Sequence, residues 1–423
     1  MGMSDVIFQK VKLGDLGYTY PGLSGKSKED FGSGKPYIPY LNIFTNAKIK
    51  KSFLEYVDIK PSDKQNKVQK GDLFFTTSSE TVEEVGMTSV LLDEIGEAYL
   101  NSFCFGFRLY NFNVLLPEFA AYLFRSEEVR KKISLFGQGS TRYNLPKTQL
   151  FDKLYLNIPV KYRQQKIYDI LTTCDTVIEQ TQAAIEKYKA IKQGMLHDLF
   201  TRGLTANGQL RPTPQQAHEL YKQSELGLIP KEWEVKRLEE IGEVVTGSTP
   251  PTLSIENYGD QYQFISPADI NGQQYILKTD KMLSETGFSI SRHIPANSIC
   301  IVCIGSTIGK SALTIVECCT NQQINSIIPN DTETAQFYYY ATKEYLSKQF
   351  AANMGLQAVP IVNKSTFQQF VIPIPSNIRE AILIQNRLIS IDTKLQSEEV
   401  LLSKYQSIKK GLMSDLLSGK REV

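Results

Sequence analysis

The chain has 423 residues, of which 41% are hydrophobic, 22% charged and 10% aromatic, and its formal net charge is +2. That length accommodates two or three domains, and the composition supplies sizeable cores and excludes wholesale disorder. The near-neutral total neither supports nor forbids nucleic-acid binding; any basic surface has to be local or shared with a partner.

No apolar run approaches the length of a bilayer span, so no membrane segment is expected. The first residues, Met-Gly-Met-Ser-Asp-Val-Ile, lack the basic and apolar regions of an export signal. A cytoplasmic protein is therefore expected, with its six cysteines as reduced thiols.

Residues 1–160 read as a strand-rich α+β region. Short apolar runs such as Asp72-Leu-Phe-Phe-Thr-Thr are bounded by turn formers, and one amphipathic helix is expected near Pro117–Ile133. Residues 161–203 read as a long helix, because no proline interrupts Tyr162–Arg202; such a helix would span ~60 Å. Ile167, Leu171, Cys174, Ile178, Thr181, Ile185, Tyr188, Lys192, Met195 and Leu199 recur at alternating spacings of four and three, the pattern of a coiled-coil seam. Residues 204–232, rich in turn formers and polar groups, read as a linker and lead-in segment. Residues 233–376 repeat the strand-rich pattern, with Ser298-Ile-Cys-Ile-Val-Cys-Ile as one apolar run and a helix expected near Thr334–Phe350. Residues 377–420 form a second long helix with the seam Ile384, Leu388, Ile391, Leu395, Glu398, Leu402, Tyr405, Lys409, Leu412 and Leu416.

The second seam lies 217 residues after the first at every position, interruptions included: Thr181 maps onto Glu398, and Lys192 onto Lys409. Tyr188-Lys-Ala-Ile-Lys-Gln-Gly-Met-Leu-His-Asp-Leu199 returns as Tyr405-Gln-Ser-Ile-Lys-Lys-Gly-Leu-Met-Ser-Asp-Leu416. A period this long exceeds that of any solenoid unit and implies two homologous halves. The globular regions match more weakly: Pro117-Glu-Phe-Ala-Ala-Tyr-Leu-Phe resembles Thr334-Ala-Gln-Phe-Tyr-Tyr-Tyr-Ala. Two such stripes in one chain should pair, and chain reversal through the intervening domain makes an antiparallel pair the expectation. A long helix packed only on its own domain is the competing arrangement.

No catalytic constellation emerges. The three histidines, His197, His218 and His293, have no metal-ligand spacing, and Walker, dinucleotide and nucleophile-elbow motifs are missing. Cys300-Ile-Val-Cys303 with Cys318-Cys319 superficially suggests zinc, but period-2 alternation sends Cys300 and Cys303 to opposite faces of a strand. Ile304-Gly-Ser-Thr-Ile-Gly-Lys-Ser311 falls one residue short of a phosphate-binding loop. Its Ser306, Thr307 and Lys310 could instead grip a nucleic-acid phosphate, as could Ser78 and Ser79 in the first-half counterpart. Other loops combine small residues, amides, cations and aromatics. Thr141, Arg142, Tyr143 and Asn144 lie in Gly137–Asn144, with Gln357 in its counterpart; Ser248 and Thr249 lie in Thr246-Gly-Ser-Thr-Pro, opposite Lys26 and Lys28. These residue types read base edges or hold phosphates, although ordinary solvated loops share the composition.

The order globular domain, long helix, globular domain, long helix resembles the specificity subunit of type I restriction-modification enzymes. Ser224-Glu-Leu-Gly-Leu-Ile-Pro-Lys-Glu-Trp-Glu-Val, Thr246-Gly-Ser-Thr-Pro and Ile304-Gly-Ser-Thr-Ile-Gly are similar to that family, as are Ile158-Pro and Ile372-Pro-Ile-Pro before the long helices. Two departures stand out: the first half lacks the Ser-Glu-Leu-Gly…Trp lead-in, and the helix starts read Lys161-Tyr-Arg-Gln-Gln and Ser376-Asn-Ile-Arg-Glu. The resemblance implies two target recognition domains, each reading half of a bipartite site in double-stranded DNA. It implies that the paired helices separate them and dock two methyltransferase subunits, with restriction subunits completing the complex. It also implies a non-catalytic chain that binds no cofactor itself, with S-adenosylmethionine, ATP and magnesium held by the partners. An adenine would be flipped into a partner's pocket for methylation. The runner-up class is a bivalent coiled-coil adaptor whose globular domains bind proteins.

Overall fold

The computed structural model describes residues 8–353, 360–421 and 423. Two long helices, Lys161–Arg202 and Ile378–Leu417, follow the two globular domains. The chain divides into two compact units, and the division cuts both helices. One unit is Met1–Ala183 with Val400–Val423; the other is Ala184–Glu399. Each unit thus contains one globular domain and a segment of both long helices.

In the first unit, Phe8–Lys12 pairs antiparallel with Tyr155–Pro159, bringing the start of the domain back to its end just before the long helix. A four-stranded sheet runs in the order Gly17–Pro21, Cys104–Leu109, Leu73–Thr76, Thr88–Val90. A three-stranded sheet holds Glu55–Val57, Phe31–Ile38 and Tyr99–Leu100. Its middle strand is bulged between Phe31 and Lys35, where Gly32 and Gly34 take φ of 112° and 102°; only glycine adopts this region readily.

The second unit repeats the plan. Trp233–Arg237 pairs with Val371–Pro375. Gly242–Thr246, Ile324–Pro329, Ile299–Val302 and Ser311–Thr314 follow the order of the first four-stranded sheet, extended by Tyr275–Ile276. The smaller sheet holds Lys281–Leu283, Tyr258–Ile265, Cys318–Thr320 and His293–Ile294. Tyr258–Ile265 is bulged like its counterpart in the first unit. The cysteine alternation read from sequence is present: Cys303 joins Ile299 and Ile301 in one core, whereas Cys300 and Val302 face another.

The cores explain why the seam residues are apolar. Ile167, Leu171, Leu416 and Leu417 enter the first domain's core, built around Phe75, Phe105, Phe124 and Phe151. Leu199, Ile384 and Leu388 enter the second, beside Phe200, Trp233 and Phe337. Full burial of each such side chain stabilises by roughly 1.5–3 kcal/mol. Ile185 and Leu395 are also buried, while Ile178, Tyr188, Ile391, Leu402, Tyr405 and Leu412 are half-buried. The helices therefore pair with each other and also pack into the cores of the globular domains, rather than each packing on its own domain alone. In the second unit Lys394 lies over the Tyr188 ring and Lys192 meets Asp392, so numbering rises along one helix as it falls along the other. The pair is antiparallel. Each long helix ends at a left-handed glycine, Gly203 (φ 63°) or Gly419 (φ 75°).

Two sequence expectations shift in detail. The helix expected over Pro117–Ile133 is two helices, Pro117–Leu123 and Glu127–Ser134, because Ser126 adopts an extended conformation and caps the second through Val129 N–H. Its counterpart, Ala335–Asn353, is continuous. The helix starts, and the buried Phe119 and Phe337, put these elements in register at an offset of 218, one residue from the sequence match.

Candidate nucleic-acid interface

In the first domain, Gln138 and Asn144 exchange backbone hydrogen bonds of 3.0 and 2.8 Å and form a short hairpin. Gly139 has φ of 142°, and a Cβ there would come within 2.0 Å of the Arg142 carbonyl, so the turn requires glycine. Thr141 and Arg142 are exposed at its tip, Asn144 is exposed where the hairpin closes, and Tyr143 is half-buried. Tyr143–Asn144 pairs antiparallel with Ser78–Ser79, and Arg142 Nε donates to Ser78 Oγ at 3.1 Å. Ser78 and Ser79 are themselves buried, at 5% and 6% exposure. They brace the hairpin from below, and their burial withdraws them from the surface a duplex could touch.

Lys26 and Lys28 line a separate groove of about 390 Å³ with Phe31, Asn101 and Phe103. Lys26 is committed to an ion pair with Asp63, while Lys28 is exposed. Phe31 and Phe103, at 37% and 58% exposure, were missed by sequence reasoning. The glycines around Phe31 were the available signal that this aromatic sits on a sharply bent strand.

In the second domain, the Thr246–Pro250 loop is fixed rather than splayed. Ser248 N–H donates to the Thr320 carbonyl at 2.9 Å, Ser248 Oγ accepts from Arg292 N–H at 3.0 Å, and Thr249 donates to Gln322. A Cβ at Gly247 would lie 2.2 Å from two backbone oxygens, which explains the Gly-Ser sequence. Ser306, Thr307 and Lys310 occupy a tight connection between Ile299–Val302 and Ser311–Thr314, with Gly305 and Gly309 at φ of 101° and 85°. Ser306 and Lys310 are exposed. This strand-to-strand turn is not followed by a helix, so it lacks the helix N-terminus of a nucleotide-binding loop. Gln357 lies outside the described residues. The structure thus places the first-domain candidates in two patches, the hairpin and the Lys26–Lys28 groove, and the second-domain candidates in two loops.

The seam's polar interruptions prove to be organised. In the first unit, Asp175 accepts from Tyr122 Oη, pairs with Lys409, and meets Lys48 Nζ at 3.5 Å. Thr172 Oγ1 lies 3.0 Å from Tyr122 Oη and 3.1 Å from Lys48 Nζ. Burial alone would raise the Asp175 carboxyl, but the Lys409 and Tyr122 hydrogen bonds and the two lysine charges hold it below its ordinary value. In the second unit, Asp392 accepts from Tyr340 Oη at 2.7 Å and pairs with Lys192. Lys343 lies 4.8 Å over Tyr339, and burial, then the Lys192 charge, bring it down to about 8, with Asp392 offsetting part of the effect. Sequence reasoning recorded Lys192 and Lys409 as interruptions and missed the aspartates. The repeated Asp175-Thr176 and Asp392-Thr393 beside the seam were the available signal.

A second cluster sits where the linker meets the second long helix. Glu380 accepts from Arg211 Nη1 at 2.5 Å, Trp233 Nε1 at 3.1 Å and Leu204 N–H at 2.7 Å. Trp233 is fully buried, which accounts for the tryptophan of the lead-in segment. In the first unit Phe8 stands at the matching strand position, opposite Pro159 as Trp233 is opposite Pro375.

One helix stripe has no comparable internal explanation. Lys187, Ile191, Gly194 and Asp198 fall on one face, and all four recur identically as Lys404, Ile408, Gly411 and Asp415. Ile191 and Ile408 are 39% and 43% exposed. A Cβ on Gly194 or Gly411 would meet nothing within 4 Å. Glycine in a helix interior costs about 1 kcal/mol relative to alanine, and no contact among the described residues requires it here.

Among the described residues, no group of His, Cys, Asp and Glu could hold a metal ion, and no helix is long and apolar enough to cross a membrane. The architecture defines a duplicated binding scaffold: two divergent domains on one matched helical pair. A family model described as the type I restriction modification DNA specificity domain matches residues 6–187 and 230–403, once per half. The chain belongs to this family and is a specificity subunit, a non-catalytic component whose partner subunits carry the enzymatic activities.

Relatives agree along most of the length. The HindI type I restriction enzyme specificity subunit of Haemophilus influenzae is 28% identical over 416 residues, covering 85% of this chain and 88% of that protein. The putative MjaX specificity subunit of Methanocaldococcus jannaschii is 25% identical over 418 residues, covering 95% and 90%. Among solved structures, the S subunit of a type I restriction-modification system from M. genitalium superimposes with a TM-score of 0.59 at 17% identity, covering 98% of each chain. A chain from a structure of type I R-M complex assembly gives 0.55 at 15% identity, covering 97% of this chain and 98% of that one. These two share the fold.

Proposed function

We propose that this subunit reads an asymmetric bipartite site in double-stranded DNA, one half-site per globular domain, and holds two identical methyltransferase subunits through its long helices. Restriction subunits join the same assembly. S-adenosylmethionine, ATP and magnesium belong to those partners in this reading.

The carrying observation is the uneven duplication. The domains keep a common strand order while their loops differ, as Pro21-Gly-Leu-Ser-Gly-Lys-Ser-Lys28 and its counterpart Thr246-Gly-Ser-Thr-Pro-Pro-Thr252 illustrate. The Lys–Ile–Gly–Asp stripe is kept identical in both copies although its lysine, isoleucine and glycine are exposed and its aspartate only half-buried. Different loops suit two different DNA words; identical stripes suit two copies of one partner. The net charge of +2 fits a chain that shares phosphate neutralisation with partners.

The test is to express the subunit with its methyltransferase and map modified adenines in genomic DNA. The reading expects one motif made of two dissimilar words separated by a fixed spacer. Modification without a defined motif, or a complex that binds every duplex equally, refutes it and favours the protein-binding adaptor.

A further inference from the structure

The two Tyr–Asp–Lys clusters are built to one plan with exchanged origins. In the first unit the aspartate, Asp175, comes from the first long helix and the lysine, Lys409, from the second. In the second unit Asp392 comes from the second long helix and Lys192 from the first. The tyrosine comes each time from the globular domain: Tyr122 on Pro117–Leu123, and Tyr340 on Ala335–Asn353. One carboxylate therefore ties three elements together, the domain and both helices.

Each domain also brings a lysine of its own, from unrelated positions. Lys48 lies in a loop after the Tyr40–Thr45 helix, 4.8 Å over Tyr122 and 5.1 Å over Tyr168. Lys343 lies on the same helix as Tyr340 and covers Tyr339. A domain-borne lysine joins each cluster by a different route, Lys48 reaching Asp175 itself and Lys343 covering the Tyr339 ring beside Tyr340, so common ancestry alone does not account for the arrangement. Burial pushes both domain-borne lysines below their ordinary values. A hydrophobic contact could attach each domain at lower cost, but it would permit sliding. Charge-assisted hydrogen bonds fix distance and direction.

We propose that Tyr122, Asp175 and Lys409 in one unit, and Tyr340, Asp392 and Lys192 in the other, are positioning residues that lock each DNA-reading domain at one register on the helices. They thereby set how strictly the complex measures the spacer between half-sites. The proposal rests on the bipartite reading above. One base pair is ~3.4 Å of duplex axis, less than one helical turn of ~5.4 Å, so a domain that slips by part of a turn reads a neighbouring spacer.

The experiment uses the full methyltransferase complex with Tyr122→Phe, Tyr340→Phe, and separately Asp175→Asn. Methylation rates are measured on duplexes whose spacer is the wild-type length or one base pair longer or shorter. The phenylalanine variants keep the packed ring and remove only a hydroxyl, so they should fold. The expected result is an unchanged pair of half-site words with spacer discrimination reduced roughly tenfold, the factor associated with one charge-assisted hydrogen bond. Wild-type discrimination in all folded variants overturns the proposal. Loss of one half-site word with the spacer intact also overturns it, because the residues would then act in base reading. If the wild-type complex shows no two-word motif, the bipartite reading fails instead.

Discussion

Replacing Gly194 and Gly411 by alanine should make the chain more stable and its complex weaker. Both glycines sit inside long helices, at solvent-exposed positions where an added Cβ finds nothing within 4 Å. No left-handed backbone is required, since neither has positive φ. Helix propensity then governs the intramolecular effect, and each substitution should stabilise by about 0.8–1 kcal/mol. The sites lie in different compact units, so the effects should add to ~2 kcal/mol. Urea denaturation of the isolated subunit, followed by far-ultraviolet circular dichroism, would show the shift in midpoint. If the Lys–Ile–Gly–Asp stripe receives a partner's backbone closely, the same methyl groups obstruct docking. Titration with the methyltransferase subunit should then show weaker binding, by roughly tenfold or more per site for one poorly accommodated methyl. Destabilisation of the isolated subunit would refute the assignment of these glycines as sterically free. Stabilisation with undiminished partner binding would refute the stripe as a docking surface.

Three further outcomes follow from the geometry. Lys343→Met should stabilise the chain at pH 7 by ~1–2 kcal/mol. The fall from 10.5 to about 8 corresponds to ~3 kcal/mol, reduced by the water that reaches a partly exposed ammonium. The folded-state value is depressed, so below pH 8 both states are protonated and the folded chain bears the full cost. Between about 8 and 10.5 the unfolded state binds more protons and wild-type stability rises with pH. The gap between variant and wild type in urea melts should therefore close over that window, and a constant gap would exclude this origin. Glu380→Ala strands the buried Arg211 and Trp233 Nε1 and should cost about 3–5 kcal/mol; a loss below ~1 kcal/mol in the same melts would show the cluster to be solvated. Arg142→Ala with Tyr143→Ala should weaken recognition of one half-site by ~1–3 kcal/mol per lost base contact, measured by methylation of sites mutated in either word. Equal loss on unrelated DNA would assign the pair to phosphate.

The helical part of the fold was largely legible in the sequence because a coiled-coil seam is a local, periodic signal. Ile167, Leu171, Leu199, Ile384, Leu388 and Leu416 are all buried where that spacing puts them. The destination of the seam's ends was less legible. Leu416 lies in the core of the first domain, over 200 residues earlier in the chain, and no local pattern reports such a contact. The loops were the least legible. Ser78 and Arg142 both read as polar surface, yet one is buried beneath the hairpin and the other exposed at its tip, a difference made by the strand pairing of residues 64 apart.

The seven residues shared at equal spacing within Lys187–Leu199 and Lys404–Leu416 can now be divided by what holds them. Leu199 and Leu416 are retained by core packing, Lys192 and Lys409 by their aspartates, and Tyr188 lies against Lys394 of the facing helix. Those pressures act within one chain and would be present in any stable helical pair. They leave Lys187, Ile191, Gly194 and Asp198, with their four copies, all on one stripe. Among the described residues Asp198 pairs with Arg202 of its own helix, at 3.4 Å, and exposed glycine and isoleucine are poor choices for a solvated helix face. Intervening exposed positions have diverged: Lys189 stands over Gln406, and His197 over Ser414. A duplicated helix that drifts at solvent-facing positions, yet keeps one stripe against its own propensity, is what the proposed docking of a partner on the long helices would produce. Because the constraint is the same in both halves, one kind of partner bound twice accounts for it more simply than two unrelated ones.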